Sequence, residues 1–251
     1  MATDQHPVML VTGASRGIGA AVARAAAAAG YDVAVNYSTS PHHADAVCHD
    51  IEALGRRAIA IAADMADEAQ VVRMFEAIDH EFGRLDVLVN NAGIAGGYGG
   101  IDTVTAPMLE RLWAVNLTGM FVAAREAAAR MRTDRGGRGG SIVNMSSKAA
   151  ALGGPNEWVH YAASKGAIDT MTIGLSKELG PVGVRVNAVR PGLIVSDFHA
   201  VAPDDRVTRL APTVPLQRSA DPSEVAEAVI WLASDAASYV TGALLDVAGG
   251  R

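Results

Sequence analysis

A tyrosine and a lysine with the spacing of a proton-transfer pair stand in the second half of the chain. Tyr161 and Lys165 are four residues apart, which places both side chains on one face of a helix. A neighbouring ammonium favours the ionised phenol and lowers its pKa from an ordinary value of about 10. Chance would produce this spacing only about 0.06 times in a chain with so few tyrosines and lysines. We therefore favour an acid–base pair over two exposed residues of a helix surface.

Near the amino terminus, three glycines spaced GxxxGxG indicate a phosphate-binding turn. They stand between a short apolar run and an alanine-rich segment. A strand followed by such a turn and a helix brings bare backbone N–H groups and the helix amino terminus to a pyrophosphate. The glycine pattern alone is weak, and the flanking strand and helix give it weight. The residues expected to contact a cofactor here are Gly13, Ser15, Arg16, Gly17, Ile18 and Gly19.

The same stretch leaves a second, remote alternative open. Gly13 to Gly17 also satisfies G-x-S-x-G, the nucleophile elbow of α/β-hydrolases, with Ser15 as the nucleophile. That elbow needs an earlier strand and loop to supply an oxyanion N–H, and only fourteen residues precede Ser15. The dinucleotide turn is therefore the preferred interpretation.

The elements that must position these residues follow a βαβ rhythm. Short β-branched runs alternate with longer helical segments, which is typical of a parallel sheet covered by helices on both faces. We expect residues 1–251 to form a single α/β domain with a doubly wound sheet of about seven strands. The predicted strands are Val8–Thr12, Val33–Asn36, Ala58–Ala62, Asp86–Asn90, Ser141–Met145, Val184–Val189 and Leu244–Val247.

Six helices are predicted between these strands, four of them ending at a glycine. Gly30, Gly55, Gly83 and Gly180 are expected in the left-handed conformation that ends a helix. The predicted helices are Gly17–Ala29, Pro41–Leu54, Asp67–Phe82, Ala106–Met131, Tyr161–Leu179 and Pro222–Ala233.

Three stretches interrupt the rhythm and are predicted to be loops. Gly93–Thr105 and Leu193–Arg218 follow strands directly, so they should overhang a ligand site at the carboxyl ends of the strands. Arg135–Gly140 precedes a strand and should lie at the opposite edge of the sheet.

Composition excludes several classes of function. The formal net charge of −6 opposes a nucleic-acid or anionic-membrane partner. The single Cys48 excludes an internal disulfide framework and fits a reducing, cytoplasmic compartment. No run of 18 apolar residues occurs, since Arg24 divides the alanine-rich stretch. The seven histidines show no metal-ligand spacing, so no metal is expected.

With these motifs in place, the chain from its first strand to Gly249–Gly250 resembles the short-chain dehydrogenase/reductase family. The likeness is greatest to 3-oxoacyl-carrier-protein reductases and glucose or sugar dehydrogenases, and it implies a Rossmann-type fold. The family's NNAG turn matches Asn90–Gly93, its active-site asparagine matches Asn116, and its serine matches Ser147. Ser147 stands one residue further from Tyr161 than is common in the family, so Ser146 is kept as an alternative.

The resemblance implies a role for each of the catalytic residues. Tyr161 is the general acid in reduction and the base in oxidation, and Ser147 binds the substrate oxygen. Lys165 lowers the pKa of the tyrosine and holds the nicotinamide ribose. Asn116, in a helix where an amide has no evident local partner, anchors a water that links Lys165 to solvent.

The resemblance also extends the cofactor site beyond the glycine turn. Asp64 would accept from the adenine amino group, although it could simply start a turn. The residues implied, besides Tyr161 and Lys165, are Asp64, Met65, Asn91, Ala92, Gly93, Pro191, Gly192, Ile194 and Ser196.

Charge at the end of the second strand predicts which cofactor is preferred. Members that prefer NAD resemble one another in an acid there, which binds the ribose 2′-OH and repels a 2′-phosphate. Tyr37 occupies that position here. Arg16 and Ser38 offer a cation and a hydroxyl to a phosphate, so we predict NADP(H) over NAD(H).

The implied activity is hydride transfer between the cofactor and a carbonyl or secondary alcohol. Trp158 is expected in the substrate pocket with Ser147 and Tyr161, and an acyl thioester and a sugar both remain open as substrates. The helix carrying Met120 to Ala127 resembles the family's pairing helix, which implies a homodimer or homotetramer. A catalytically silent cofactor-binding sensor or scaffold is the alternative from another functional class.

Overall fold

The computed structural model describes residues 6–196, 198, 202 and 205–251 of the chain. These residues contain one parallel sheet with the strand order β3-β2-β1-β4-β5-β6-β7. The order reverses between β1 and β4, which creates the crevice where doubly wound sheets bind ligands. The predicted fold class is confirmed. The strands are β1 (Val8–Val11), β2 (Asp32–Tyr37), β3 (Ala58–Ala62), β4 (Val87–Asn90), β5 (Gly140–Met145), β6 (Val184–Pro191) and β7 (Leu244–Val247).

Helices cover both faces of the sheet because the apolar strands are buried on both sides. One face packs against Phe75, Met120 and Ile168 from three helices. The other packs against helices that contribute Val22 and Val229. The helices are α1 (Gly17–Ala28), α2 (Pro41–Ala53), α3 (Glu68–Phe82), α4 (Ala106–Trp113), α5 (Gly119–Met131), α6 (Ala149–Leu152), α7 (Val159–Leu179), α8 (Arg206–Leu210) and α9 (Pro222–Ala233).

Two details of the helix prediction are wrong. The expected helix Ala106–Met131 is divided by a π-helical turn, Ala114–Thr118, between α4 and α5. Gly30, Gly55 and Gly83 have the positive φ expected of helix-ending glycines. Gly180 does not, since its φ is −53°.

The segment after Gly180 explains that difference. The chain continues from α7 into a 3₁₀ turn, Gly180–Val182. The left-handed residue is Gly183, with φ of 78°. The extra turn therefore moves the chain reversal by three residues.

One of the three predicted loops contains an α-helix and a strand bridge that the prediction missed. α8 lies within Leu193–Arg218, and Ile194 pairs with Ala220 in a parallel bridge. Residues 197, 199–201, 203 and 204 of this segment lie outside the described residues. Gly93 and Ile94 line the cleft at the carboxyl ends of the strands, and Gly93–Thr105 has one 3₁₀ turn, Ile101–Thr103.

The amino end of β5 forms the opposite edge of the sheet. A 3₁₀ turn, Thr133–Arg135, is followed by Gly136 with φ of 87°. A Cβ at Gly136 would meet no atom within 4 Å.

No helix among the described residues is both long and apolar enough to cross a membrane.

Candidate active site

A cleft of about 900 Å³ lies at the carboxyl ends of the strands. It contains the switch point between β1 and β4, where the fold predicts a ligand. Of the residues that the sequence assigns to the site, Tyr37 and Asn116 do not line it. The residues that do are Gly13, Ser15, Arg16, Gly17, Ile18, Gly19, Ser38, Asp64, Met65, Asn91, Ala92, Gly93, Ser147, Trp158, Tyr161, Lys165, Pro191, Gly192, Ile194 and Ser196.

The glycine turn is packed too closely for side chains at two positions. Gly13 has a φ of +63°, and a Cβ there would lie 2.9 Å from Ala92 Cα. A Cβ at Gly19 would lie 2.4 Å from the Gly13 carbonyl oxygen and 2.5 Å from Asn91 Nδ2. Asn91 Nδ2 donates to the carbonyl of Thr12 at 2.8 Å and to that of Gly13 at 3.1 Å. The turn is thereby fixed against the end of β4.

Asn36 also supports the turn, and the sequence analysis did not assign it a role. Its Oδ1 accepts from the Gly13 N–H at 3.0 Å. Its Nδ2 donates to the carbonyls of Ile61 and Ala63, each at 3.2 Å. The signal in the sequence is an amide side chain that directly follows the apolar residues of β2, where it is expected to be buried with them. Asn36 therefore ties the turn to β3.

The corner beyond β2 presents a cation and hydroxyls. Arg16 and Ser38 are exposed and line the cleft, as does Thr39. Tyr37 is partly buried against the apolar core and does not line the cleft. The position that carries an acid in NAD-binding relatives is thus occupied by a core-packing tyrosine.

Asp64 fits both of the interpretations left open by the sequence. Its Oδ1 accepts from the N–H of Ala66 at 3.0 Å, so it starts a turn. It also lines the cleft and is bound by Arg111 Nη2 at 3.2 and 2.9 Å from its two oxygens. Its charge in the cleft is therefore compensated by a cation.

These features fit a dinucleotide. The glycine turn and the amino terminus of α1 line the cleft and form a cradle, because backbone N–H groups at such a turn suit a pyrophosphate. On the other side, a Cβ at Gly17 would lie 3.9 Å from Ser196 Cβ. The segment from Pro191 to Ser196 therefore comes close to the cradle and narrows the cleft at that point.

Ser147, and not Ser146, is the serine that reaches Tyr161. The Ser147 side chain acts on the Tyr161 phenol, since it lowers the pKa of Tyr161 against the effect of burial. The Ser146 hydroxyl is buried and donates to the Lys165 carbonyl at 3.1 Å. Ser146 is thus used in attaching β5 to α7, which favours Ser147 as the residue next to the phenol.

Tyr161 and Lys165 lie together, but the pKa of Tyr161 does not fall as the sequence predicts. Lys165 Nζ lies 5.6 Å from the centre of the Tyr161 ring and donates to the Met145 carbonyl at 2.6 Å. Burial raises the pKa of Tyr161 to about 12, although the hydrogen bond with Ser147 acts to lower it. Burial lowers the pKa of Lys165 to about 8, and the charge of Asp169 opposes this. The lowering of the tyrosine pKa that the sequence predicts is therefore not seen as a net shift, because desolvation dominates.

Asn116 has hydrogen-bond partners from distant parts of the chain that the sequence does not reveal. Its Oδ1 accepts from the Ile94 N–H at 2.9 Å, and its Nδ2 donates to the Ile94 carbonyl at 3.0 Å and to Ser164 Oγ at 3.2 Å. A Cβ at Gly93 would lie 3.4 Å from Asn116 Oδ1 and 3.6 Å from Lys165 Nζ. The π turn thus carries a buried amide that joins the loop after β4 to α7, close to the lysine.

Aromatic side chains form the wall beside Tyr161. The Trp158 ring lies edge-on to Tyr98 at 5.4 Å and to Phe198 at 5.6 Å between ring centres. Phe198 is 5.1 Å from the Tyr161 ring. His160 does not line the cleft, and its Nε2 lies 3.1 and 3.0 Å from two carbonyls of the loop after β4. Trp158 is thus placed for a substrate contact, and His160 for holding the loop.

A basic cluster stands at the far end of the same wall, and sequence reasoning missed it. Arg206 and Arg251 line the cleft together with Glu157. Arg206 and Glu157 lie 49 residues apart in the chain, so no local pattern could have indicated their contact.

Among the described residues, no group of three or more His, Cys, Asp or Glu side chains could hold a metal ion.

Comparison with known proteins agrees with this geometry. A family model described as Enoyl-(Acyl carrier protein) reductase matches residues 13–251. An uncharacterized oxidoreductase, YgfF, of Escherichia coli (strain K12) is 50% identical over 245 residues, covering 97% of this chain and 99% of that protein. The 3-oxoacyl-[acyl-carrier-protein] reductase FabG of Staphylococcus aureus (strain Mu50 / ATCC 700699) is 40% identical, covering 96% of each chain.

Two solved structures resemble the chain over nearly its whole length. A blue fluorescent protein from a metagenomic library, in complex with NADPH, is 41% identical with a TM-score of 0.90 and covers 97% of both chains. A short chain dehydrogenase from Burkholderia cenocepacia J2315, in complex with NADP, is 38% identical with a TM-score of 0.88 at the same coverage.

Proposed function

The chain belongs to the short-chain dehydrogenase/reductase family and is an NAD(P)-dependent oxidoreductase, and from this premise we propose that it reduces a ketone or aldehyde to an alcohol with NADPH. The observation that supports this most is that Tyr161, Ser147 and Lys165 line one cleft, with Lys165 Nζ 5.6 Å from the centre of the Tyr161 ring. That cleft also contains a phosphate cradle. The hydrolase alternative would need Ser15 as a nucleophile, whereas Ser15 lies in the cradle itself.

The chemistry divides between the cofactor and the side chains. A bound nicotinamide supplies a hydride to the carbonyl carbon. With a pKa of about 12, Tyr161 is protonated at neutral pH and can donate its proton to the carbonyl oxygen. Ser147 donates a hydrogen bond to that oxygen as negative charge develops on it. Lys165 Nζ lies 5.6 Å from the centre of the Tyr161 ring, so an ammonium there would offset part of the negative charge left on the phenolate.

Replacing the phenol tests the assignment of Tyr161. Tyr161→Phe should lower turnover at least about 100-fold, because the proton donor is lost while the ring remains. The dissociation constant of NADPH should change by less than about threefold. Turnover is followed by NADPH oxidation, and cofactor binding by fluorescence titration. Turnover near that of the wild type would refute the assignment.

The substrate class and the silent-binder alternative are decided by one panel. It contains β-ketoacyl thioesters, aldoses, α-diketones and secondary alcohols, each with NADPH/NADP⁺ and NADH/NAD⁺. A sensor or scaffold would bind the cofactor and leave every compound unchanged. We expect consumption of at least one carbonyl compound, since a binder has no need of a buried phenol beside a serine.

The corner beyond β2 leads us to propose NADP(H) as the preferred cofactor. Arg16 and the hydroxyl of Ser38 suit a 2′-phosphate, and both similar structures were crystallised with the phosphorylated cofactor. Catalytic efficiency should be at least about 10-fold higher with NADPH than with NADH. Ser38→Asp should remove most of this difference by repelling the phosphate. A wild-type preference for NADH would contradict the proposal.

Association and location complete the proposal. We propose a homo-oligomer, a dimer or tetramer, built through the side of the molecule that exposes Trp113 and Phe121. A reducing cytoplasmic compartment suits the free, buried thiol of Cys48.

A further inference from the structure

A continuous series of ring contacts connects Tyr161 to the basic cluster. From Tyr161 the contacts pass to Phe198 at 5.1 Å and then to Trp158 at 5.6 Å. The guanidinium of Arg206 lies over the Trp158 ring, 4.5 Å from its centre. Arg206 is thereby connected to the phenol through the aromatic wall, and both side chains line the cleft.

Arg206 is fixed in this position by Glu157. Its Nε and Nη2 donate to Glu157 Oε2 at 3.0 and 2.7 Å, and its side chain is only 10% exposed. Arg209 donates to the other oxygen of the same carboxylate at 3.2 Å. Burial raises the pKa of Glu157, but these hydrogen bonds and charges outweigh it and lower the pKa. The carboxylate of Glu157 is thus ionised and already engaged by two guanidiniums.

Arg251 differs from both of these arginines. It is half-buried and lines the cleft. The part of the chain that the structure describes offers its guanidinium no hydrogen bond and no ion pair. Burial lowers the pKa of Arg251, and the charge of Arg206 lowers it further, whereas Glu157 opposes this. Arg251 is therefore a second cation in a partly desolvated cleft, and no carboxylate among the described residues forms an ion pair with it.

We propose that Arg251, supported by Arg206, binds an anionic group at the end of the substrate remote from the carbonyl. The inference rests on the proposed function and names its substrate class: a ketone or aldehyde that carries a carboxylate or a phosphate. A guanidinium presents its donors in a fork that matches either anion. The aromatic wall between the anion site and Tyr161 would cover an apolar chain of a few carbons. Neutral aldoses do not fit such a site.

Paired probes that differ in one charge test the inference. They are 5-oxohexanoate and 7-oxooctanoate, each compared with its methyl ester, at saturating NADPH. In the wild type, kcat/KM for at least one acid should exceed that for its ester by about 10-fold or more. Arg251→Gln should remove this advantage, because kcat/KM should fall about 10-fold more for the acid than for the ester. Arg251→Lys should restore part of it, because the charge returns without the fork.

Arg209→Gln provides the matched control. Arg209 lies on α8 with Arg206 and donates to the carboxylate of Glu157, but it does not line the cleft. This variant should keep the wild-type ratio of acid to ester. Equal efficiencies for acids and esters in the wild type, or an equal loss for both in Arg251→Gln, would overturn the anion site.

A binding measurement separates this inference from the proposed function. Calorimetry on the NADP⁺-loaded protein with 5-oxohexanoate and with its methyl ester involves no turnover, because neither the oxidised cofactor nor the ketone can donate a hydride. Tighter binding of the acid, lost in Arg251→Gln, supports the anion site even if hydride transfer fails. Reduction of the esters without any preference for the acids in binding or turnover rejects the anion site and leaves the reductase proposal standing.

Discussion

Asp169 is the carboxylate that most directly influences the charge of Lys165. It stands one helical turn beyond the lysine on α7, and its charge raises the pKa that burial lowers. Its Oδ2 lies 3.5 Å from Arg190 Nη1, and its Oδ1 is buried with no hydrogen-bond partner in the described part of the chain. Arg190 bonds mainly to Asp246, which Lys148 also binds at 2.6 Å. Asp169 is thus only weakly neutralised, and its field acts on the lysine.

Removing this charge should change the pH dependence of catalysis. In Asp169→Asn the pKa of Lys165 should fall below its value of about 8. A step that needs the ammonium is complete below this pKa and is lost as the pH rises through it. The alkaline fall in kcat/KM should therefore move to lower pH, with little change at pH 6. The measurement is a profile of kcat/KM from about pH 6 to 10.

A distant carboxylate serves as the control for this profile. Asp79→Asn removes a charge that pairs with Arg130 on the surface and should leave the alkaline limb in place. An unchanged limb in Asp169→Asn would show that its charge does not act on Lys165.

At this scale the sequence reveals what is local and conceals what depends on burial. The spacing of Tyr161 and Lys165 was sufficient, because helical periodicity fixes their relative position. The direction of the tyrosine pKa was not accessible, since it depends on desolvation by residues from several elements. Arg251 was likewise missed, because only the folded chain brings it to Arg206.

Among the elements, the strands could be predicted to within two residues, whereas the division of one helix could not. Buried parallel strands are continuous apolar runs with a clear signal. The π turn Ala114–Thr118 contains neither proline nor glycine. Within this turn, the side-chain amide of Asn116 accepts a hydrogen bond from the N–H of Ile94, which lies in the loop after β4. A feature set by tertiary contact leaves no periodic trace in its own segment.

The glycine turn gives a prediction for the element that follows β1. Gly19→Ala places a methyl group 2.4 Å from the Gly13 carbonyl oxygen and 2.5 Å from Asn91 Nδ2. The turn must shift, so we expect NADPH affinity to fall at least about 10-fold and stability to fall by about 1–3 kcal/mol. Cofactor titration and urea unfolding measure the two effects.

Gly174→Ala is the matched control, because a Cβ there meets no atom within 4 Å. In the interior of α7 this change should stabilise the protein by about 0.5–1 kcal/mol and leave NADPH affinity unaltered. Equal behaviour of the two variants would contradict the close packing at Gly19.

On the scale of the whole molecule, the segment from α4 to α5 exposes two large aromatic side chains. Trp113 is 43% exposed and Phe121 is 50% exposed. Side chains of this size gain free energy when covered. The small and apolar residues around Phe121 on α5 would let a second helix approach closely.

Phe121→Glu should therefore dissociate the oligomer. A charge in a covered apolar face is costly, so light scattering after size exclusion should show a smaller assembly than the wild type. Leu54→Glu, at a residue 53% exposed at the end of α2, should leave the mass unchanged. A wild-type protein that is already monomeric at micromolar concentration would contradict the proposal.

The turn before β5 has a practical consequence for work with this protein. The cleft lies at the carboxyl ends of the strands, and β5 spans six residues, or about 20 Å, between that edge and the turn. Gly136 faces open space. A reporter domain or surface linker inserted there would extend away from the molecule, so the enzyme could be immobilised or labelled while its substrate entrance stays unobstructed.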